Sequence, residues 1–199
     1  MTNPRLIVVS GAPASGKTTL ARRLAGELGL ALLTKDLIKE TLFDTLGVPS
    51  AERSVELSAA SFAVLASVGR ELLAAGVSVI LEANYQRGRS ERDLGPLVAG
   101  AKAVLVHCET TRDEIVRRYT ARISGATDRH PGHGDAGGLP VVLERIDAGV
   151  YEPLDLAIPV IRVDTTDGYR PMYEEIRRFL TDAASSLSTF GASCRGWVR

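Results

Sequence analysis

The chain has 199 residues, 24 lysines and arginines against 24 aspartates and glutamates, 45% hydrophobic residues and two cysteines. That size and balance fit one soluble globular domain, give no electrostatic ground for a nucleic-acid partner, and are too poor in cysteine for a disulfide framework. The longest uncharged stretch, 57–69, falls short of the roughly 20 residues that span a bilayer. The apolar run after Met1–Arg5 is too short for a signal peptide, so a cytoplasmic protein without a membrane partner is expected.

Leu6–Val9 is a short, β-branched apolar run that reads as a buried parallel strand. Gly11-Ala12-Pro13-Ala14-Ser15-Gly16-Lys17-Thr18 follows and matches the P-loop pattern G-x-x-x-x-G-K-[ST]. Thr19–Leu28 then sets Leu20, Leu24 and Leu28 on one helix face, with Gly29 as its stop. A second strand is predicted at Ala31–Thr34 and a helix through Leu37–Phe43, broken at Gly47-Val48-Pro49. A long helix is predicted over about Glu52–Ala75, stopped by Gly76, and a third strand over Val77–Leu81 that ends in Glu82-Ala83-Asn84.

Ser90-Glu91-Arg92-Asp93 reads as a capping box opening a helix towards Gly100, and Ala103–Cys108 as a fourth strand. Thr111-Arg112-Asp113-Glu114 is a second capping box, before a helix that carries Arg117, Arg118 and Arg122. From Gly125 to Gly138 the pattern dissolves into a loop, the middle of an expected lid over about 117–138. Helical patterning resumes over Val142–Ala148. Ile158–Val163 reads as a fifth strand, in which Pro159 marks an edge or an early position. A last helix is predicted from Pro171, as an N1 proline, to Leu187. Alternating strands and helices predict an α/β fold with a parallel sheet flanked on both faces. One domain is expected over 1–184, with a loose tail over 185–199.

Gly11 and Gly16 let the loop turn its N–H groups around a phosphate at a helix N-terminus. Lys17 can reach the β- and γ-phosphates and the Thr18 hydroxyl can hold Mg²⁺. Gly11, Ala14, Ser15, Gly16, Lys17, Thr18 and Thr19 are therefore the candidate residues for binding ATP. Ligands of such sheets gather at the strands' carboxyl ends, where Asp36, Glu82 and Asn84 also fall. Asp36 is either the residue that orients a substrate hydroxyl and takes its proton late, or the N-cap of the next helix. Glu82, after Val79-Ile80-Leu81, reads as the acid of a Walker B strand, holding Mg²⁺ through water. Asn84, Tyr85 and Arg87 are candidates for the acceptor pocket or for a surface loop. Arg118 and Arg122, four apart, share a helix face and are candidates for neutralising transferring phosphate. His130 and His133 lie three apart in a Gly/Pro loop without a third ligand, a poor zinc site.

Gly11–Thr19, the Thr34–Glu40 segment, the Val-Ile-Leu-Glu-Ala-Asn strand end and the Arg118/Arg122 pair together resemble the small P-loop kinases. Within them the chain resembles the AAA_33-like "predicted kinase" group related to chloramphenicol phosphotransferase, gluconate kinases and zeta-type toxins. The resemblance covers about residues 5–182. It implies a sheet of order 2-3-1-4-5, ATP with Mg²⁺, and transfer to a hydroxyl of a small molecule such as an antibiotic, sugar or nucleoside. It carries the acceptor-side acid onto Asp36 and the lid arginines onto Arg118 and Arg122. It also implies base contacts near Asp164-Thr165-Thr166, hence Thr165 as a nucleotide-side residue. Glu82 stands where the group commonly has Asp.

A GTPase is disfavoured, since Thr34-Lys35-Asp36 lacks the spacer of [NT]-K-x-D and no D-x-x-G follows the third strand. A mechanical ATPase would need a second subdomain. A nucleotide-monophosphate kinase and a slow regulatory ATPase stay open. Between Leu37 and Gly76 the arginines are Arg53 and Arg70, beside Lys39, while Arg87, Arg89 and Arg92 offer compensation, a balance that favours an uncharged acceptor. Arg53, with Asn84 and Arg87, is kept as a candidate substrate contact. Monomer and homodimer are equally compatible with the sequence.

Overall fold

The computed structural model describes residues 3–47, 50–124, 130 and 137–186. Five strands, β1 (Arg5–Gly11), β2 (Ala31–Thr34), β3 (Val79–Glu82), β4 (Lys102–Glu109) and β5 (Val160–Asp164), form one sheet of order β2-β3-β1-β4-β5. Every strand pair is parallel. The helices α1 (Lys17–Leu28), α2 (Lys35–Leu46), α3 (Ala51–Ala74), α4 (Glu91–Ala99), α5 (Arg112–Ile123), α6 (Leu139–Asp147) and α7 (Tyr173–Ser186) complete the chain.

Strand β1 is central and buried from Leu6 to Gly11, because a parallel strand has helices over both faces. Its alternation separates two cores. Ile7 and Val9 pack with Leu20 and Leu24 of α1 and Ile176 and Leu180 of α7. Leu6 and Val8 pack with Leu65 and Leu73 of α3 and Leu94 and Leu97 of α4. The edge strand β5 begins directly after Pro159, whose carbonyl accepts from Leu105 N–H at 2.9 Å, so the proline stands at the entry of an edge strand, where a ladder donor can be dispensed with. Residues 52–74 of α3 are long and apolar enough to cross a membrane. Here Leu65, Gly69 and Leu73 are built into the core, with Gly69 so close to Leu81 that a Cβ would lie 3.0 Å from its Cδ1.

Two predicted helix starts differ. The Ser90 hydroxyl makes no cap to α4; it accepts from Gln86 N–H at 2.9 Å, because the turn before the helix presents a nearer donor. Pro171 is not N1 of the last helix. α7 starts at Tyr173, and the Glu175 carboxylate reaches back to Met172 N–H at 2.8 Å. Of the expected tail, Ser185 and Ser186 belong to α7; the remainder, with Cys194 and Trp197, lies outside the described residues. So do Arg129 and His133 of the expected lid.

Candidate active site

The P-loop joins β1 to α1 with three residues at positive φ: Gly11 at 143°, Ala14 at 66° and Gly16 at 76°. Glycine is required at position 11, where a Cβ would stand 2.2 Å from the Cys108 carbonyl oxygen of the neighbouring strand. Ala14 is the exception, an L-residue held left-handed and almost fully buried, as strained backbone at functional loops often is. Lys17 curls over the loop, its Nζ donating to Ala12 O at 3.2 Å and standing 4.0 Å from Glu82 Oε1.

Glu82 ends β3 with 3% of its surface exposed. The Thr18 hydroxyl donates to its Oε2 at 3.2 Å. Burial pushes the Glu82 carboxyl above the ordinary range; Lys17 opposes this and the Asp36 charge adds to it. Asp36 reaches the same region because Thr34 of β2 is in register with Glu82. Thr34, rather than Asp36, caps α2, its hydroxyl accepting from Leu37 N–H at 3.2 Å. Asp36 thus stands in the first helical turn, half-exposed, with Lys35 Nζ at 3.4 Å. A hydroxyl and a buried carboxylate in contact are an oxygen donor set of the kind hard divalent cations take.

Beside the P-loop, walled by α5 and by the segment after β5, lies a cavity of about 410 Å³, lined by Ala14, Gly16, Thr19, Arg118, Arg122, Thr165, Gly168 and Tyr169. The structure thereby gathers Ala14, Gly16, Thr19, Arg118, Arg122 and Thr165, which are far apart in sequence. Thr165 is a strut: its hydroxyl donates to Ser15 O at 2.8 Å and its N–H to Glu109 O at 2.9 Å. Arg118 spends its fork on the same wall, donating to Ala14 O at 3.2 Å, Thr165 Oγ1 at 3.1 Å and Thr165 O at 2.6 Å. Its Nε donates to Glu114 at 2.6 Å. Two bonds from Arg117, then that from Arg118, hold the Glu114 carboxyl down at about 2. This leaves the predicted second capping box half-made. Thr111 accepts from Glu114 N–H at 3.3 Å, but the Glu114 side chain serves arginines instead.

On the α3 and α4 side lies a larger cavity of about 650 Å³. Lys39, Phe62, Tyr85 and Gln86 are among its walls. Lys39 is buried, donates to Ser54 Oγ at 2.9 Å and has the Phe43 ring centroid 5.1 Å away. The Tyr85 ring packs against Phe62, centroids 5.7 Å apart, and burial pushes its phenol up. Of the sequence candidates, Asn84 is half-buried after β3 and does not line this cavity. Arg87 is exposed, its backbone N–H donating to Val150 O at 2.9 Å, and Arg53 turns outward to Glu56 at 2.9 Å. Sequence reasoning counted Lys39 among the acceptor-side cations without making it a site residue. Its signal is the spacing Lys35, Lys39, Phe43, which sets two buried lysines and an aromatic ring on one helix face. His130 docks on α2 through Asp44 at 2.9 Å and a stack on Phe43.

Among solved structures, a candidate kinase from Chloroflexus aurantiacus is 32% identical and superposes over 95% of this chain and 98% of its own, with a TM-score of 0.76. A gluconokinase from Sinorhizobium meliloti shares the fold at 18% identity, over 96% of this chain and 99% of its own, with a TM-score of 0.62. A curated, uncharacterized protein of Mycobacterium tuberculosis is 31% identical over 134 residues, 62% of this chain and 27% of that protein. The chain thus spans about a quarter of the length of the curated relatives it matches. Residues 6–131 match the AAA domain model AAA_33. The chain belongs to that family, with the nucleotide-binding P-loop fold of the small kinase group.

Proposed function

We propose that this protein is an ATP- and Mg²⁺-dependent phosphotransferase that moves the γ-phosphate to a hydroxyl of a small molecule. The carrying observation is the position of Asp36 beside Glu82, Thr18 and Lys17 at the carboxyl end of the sheet, with two cavities that share no lining residue. The Chloroflexus aurantiacus candidate kinase and the gluconokinase fold support the same reading.

Thr18 and, through water, Glu82 are the residues that would hold Mg²⁺. When bound, the ion neutralises phosphate charge as transfer proceeds. Lys17 and the loop N–H groups bind the phosphates. Arg118 holds the wall of the nucleotide cavity in shape, and Arg122, one turn on, lines the same cavity. The acceptor oxygen forms a bond to the γ-phosphorus while the bond from that phosphorus to the bridging oxygen breaks. That electron pair leaves with ADP. Asp36 orients the acceptor hydroxyl and takes its proton late, then returns it to solvent.

Asp36→Ala should lower transfer by at least about 100-fold while nucleotide affinity stays within about twofold. Product is followed with γ-labelled ATP across sugars, nucleosides, polyols and antibiotics. Label appearing only as inorganic phosphate over the whole panel would overturn the reading in favour of a regulatory ATPase. Normal turnover in the variant would remove Asp36 from the mechanism.

A further inference from the structure

We propose that the acceptor carries, besides the hydroxyl that is phosphorylated, an oxyanion group held in the α3–α4 cavity by Lys39, Arg89 and Arg145, with the Tyr85 hydroxyl donating to it. This rests on the kinase reading above and specifies the substrate class of the same site.

The lining of that cavity carries Lys39, Arg70, Arg89, Arg92 and Arg145 against a single carboxylate, Asp93. Asp93 is already paired with Arg92 at 3.2 Å. The chain as a whole is neutral, so this excess is a product of folding rather than of composition. Arg70 comes from α3, Arg89 from the loop after β3, Arg92 from α4 and Arg145 from α6. Arg89 and Arg92, which the sequence offers in compensation, line the cavity, and Arg145 joins them, so the proposal departs from the expected uncharged acceptor.

Hydrogen-bond accounting points the same way. Other arginines of this surface, such as Arg53, Arg112 and Arg162, have carboxylate partners. Among the described residues Arg70, Arg89 and Arg145 have none. Tyr85 is 4% exposed, lines the cavity, and its hydroxyl has no partner. A buried hydroxyl without a partner is costly, and guanidinium groups match carboxylate, phosphate or sulfate in planar pairs. A wall so rich in donors calls for a ligand that mainly accepts. Carboxylate, phosphate and sulfate share that chemistry.

The test uses the full chain with its P-loop filled by Mg²⁺ and a non-hydrolysable ATP analogue, so that added anions cannot bind there. Matched pairs are titrated calorimetrically: glycerate and glycerol 3-phosphate against glycerol, and gluconate against sorbitol. At least one acid should bind about tenfold tighter than its neutral partner. Arg89→Gln with Arg145→Gln, both at exposed positions, should erase about that factor and leave analogue affinity unchanged, which also reports that the variant is folded. Tyr85→Phe should weaken the acid and not its neutral partner. Equal affinity within every pair, weak or strong, overturns the proposal, as does acid binding indifferent to the double variant. When ATP replaces the analogue, transfer to the neutral members alone overturns it and leaves the kinase reading standing. Acid binding with label released only as inorganic phosphate overturns the kinase reading and, with it, the acceptor.

Discussion

Thr18 and Glu82 meet across the site, hydroxyl to carboxylate at 3.2 Å, although one opens a helix on β1 and the other ends β3. The contact follows from β1 and β3 being neighbours with Val9 in register with Glu82. It leaves a carboxylate buried beside a hydroxyl and 4.0 Å from the Lys17 ammonium. Glu82→Gln keeps the shape and removes the charge. Metal dependence should weaken about 10- to 100-fold, while nucleotide binding without Mg²⁺ is unchanged. Titrating activity against Mg²⁺ checks this, and a wild-type curve from the variant would remove Glu82 from the metal's surroundings.

Gly11 and Gly16 should fail differently when changed to alanine. A Cβ at position 11 meets backbone oxygen at 2.2 Å, whereas at position 16 it meets the Thr165 hydroxyl at 3.1 Å. Gly11→Ala should therefore cost about 3 kcal/mol or more, since strand β4 must move. Gly16→Ala should cost about 1–2 kcal/mol for its left-handed φ and act mainly on nucleotide affinity. Urea unfolding of both variants decides; equal losses would mean the loop relaxes as a unit.

Arg118 links α5 to the P-loop through Ala14 O and to the β5 loop through Thr165 O. Arg118→Lys keeps the charge and loses the fork. Nucleotide affinity should fall about tenfold in both Arg118→Lys and Arg118→Ala. Amide exchange across 164–170 should accelerate with it. Full rescue by lysine would show that charge alone matters there.

His107 gives the protein an acid-side weakness. It is buried on β4, with Nδ1 unpartnered, and burial, then the charge of Arg162, lowers its imidazole to about 4. The unfolded chain takes up that proton near pH 6.5, the folded one only near 4. Stability is therefore full above about 6.5 and is lost as pH falls towards 4, by about 3 kcal/mol for this group. His107→Leu should flatten Tm against pH across that window. Glu114 acts lower, its contribution being lost as pH falls from 4.5 to about 2. An unchanged slope in the variant would exclude His107 as the source.

The parts of the site that were legible in the sequence are those written locally. The P-loop is a contiguous spelling, and Asp36 and Glu82 stand at strand ends that hydrophobic runs announce. The sheet needs alternating elements, which a chain displays in order. Arg145 carries no such mark, because only the packing of α6 brings it to the cavity that Arg89 also lines. Ser90 shows the reverse error. Its local pattern offered a cap, and a tertiary turn gave the hydroxyl a better donor in Gln86. Arg118 was read as a phosphate contact from its spacing on α5, yet the fork's oxygen partners come from chain segments about 50 and 100 residues away.

The two cavities have no lining residue in common. Neither occupant would have to pass the other's seat on its way in or out. Initial-rate kinetics should then show random-order addition, with double-reciprocal lines that intersect, and each product should inhibit competitively against its own parent.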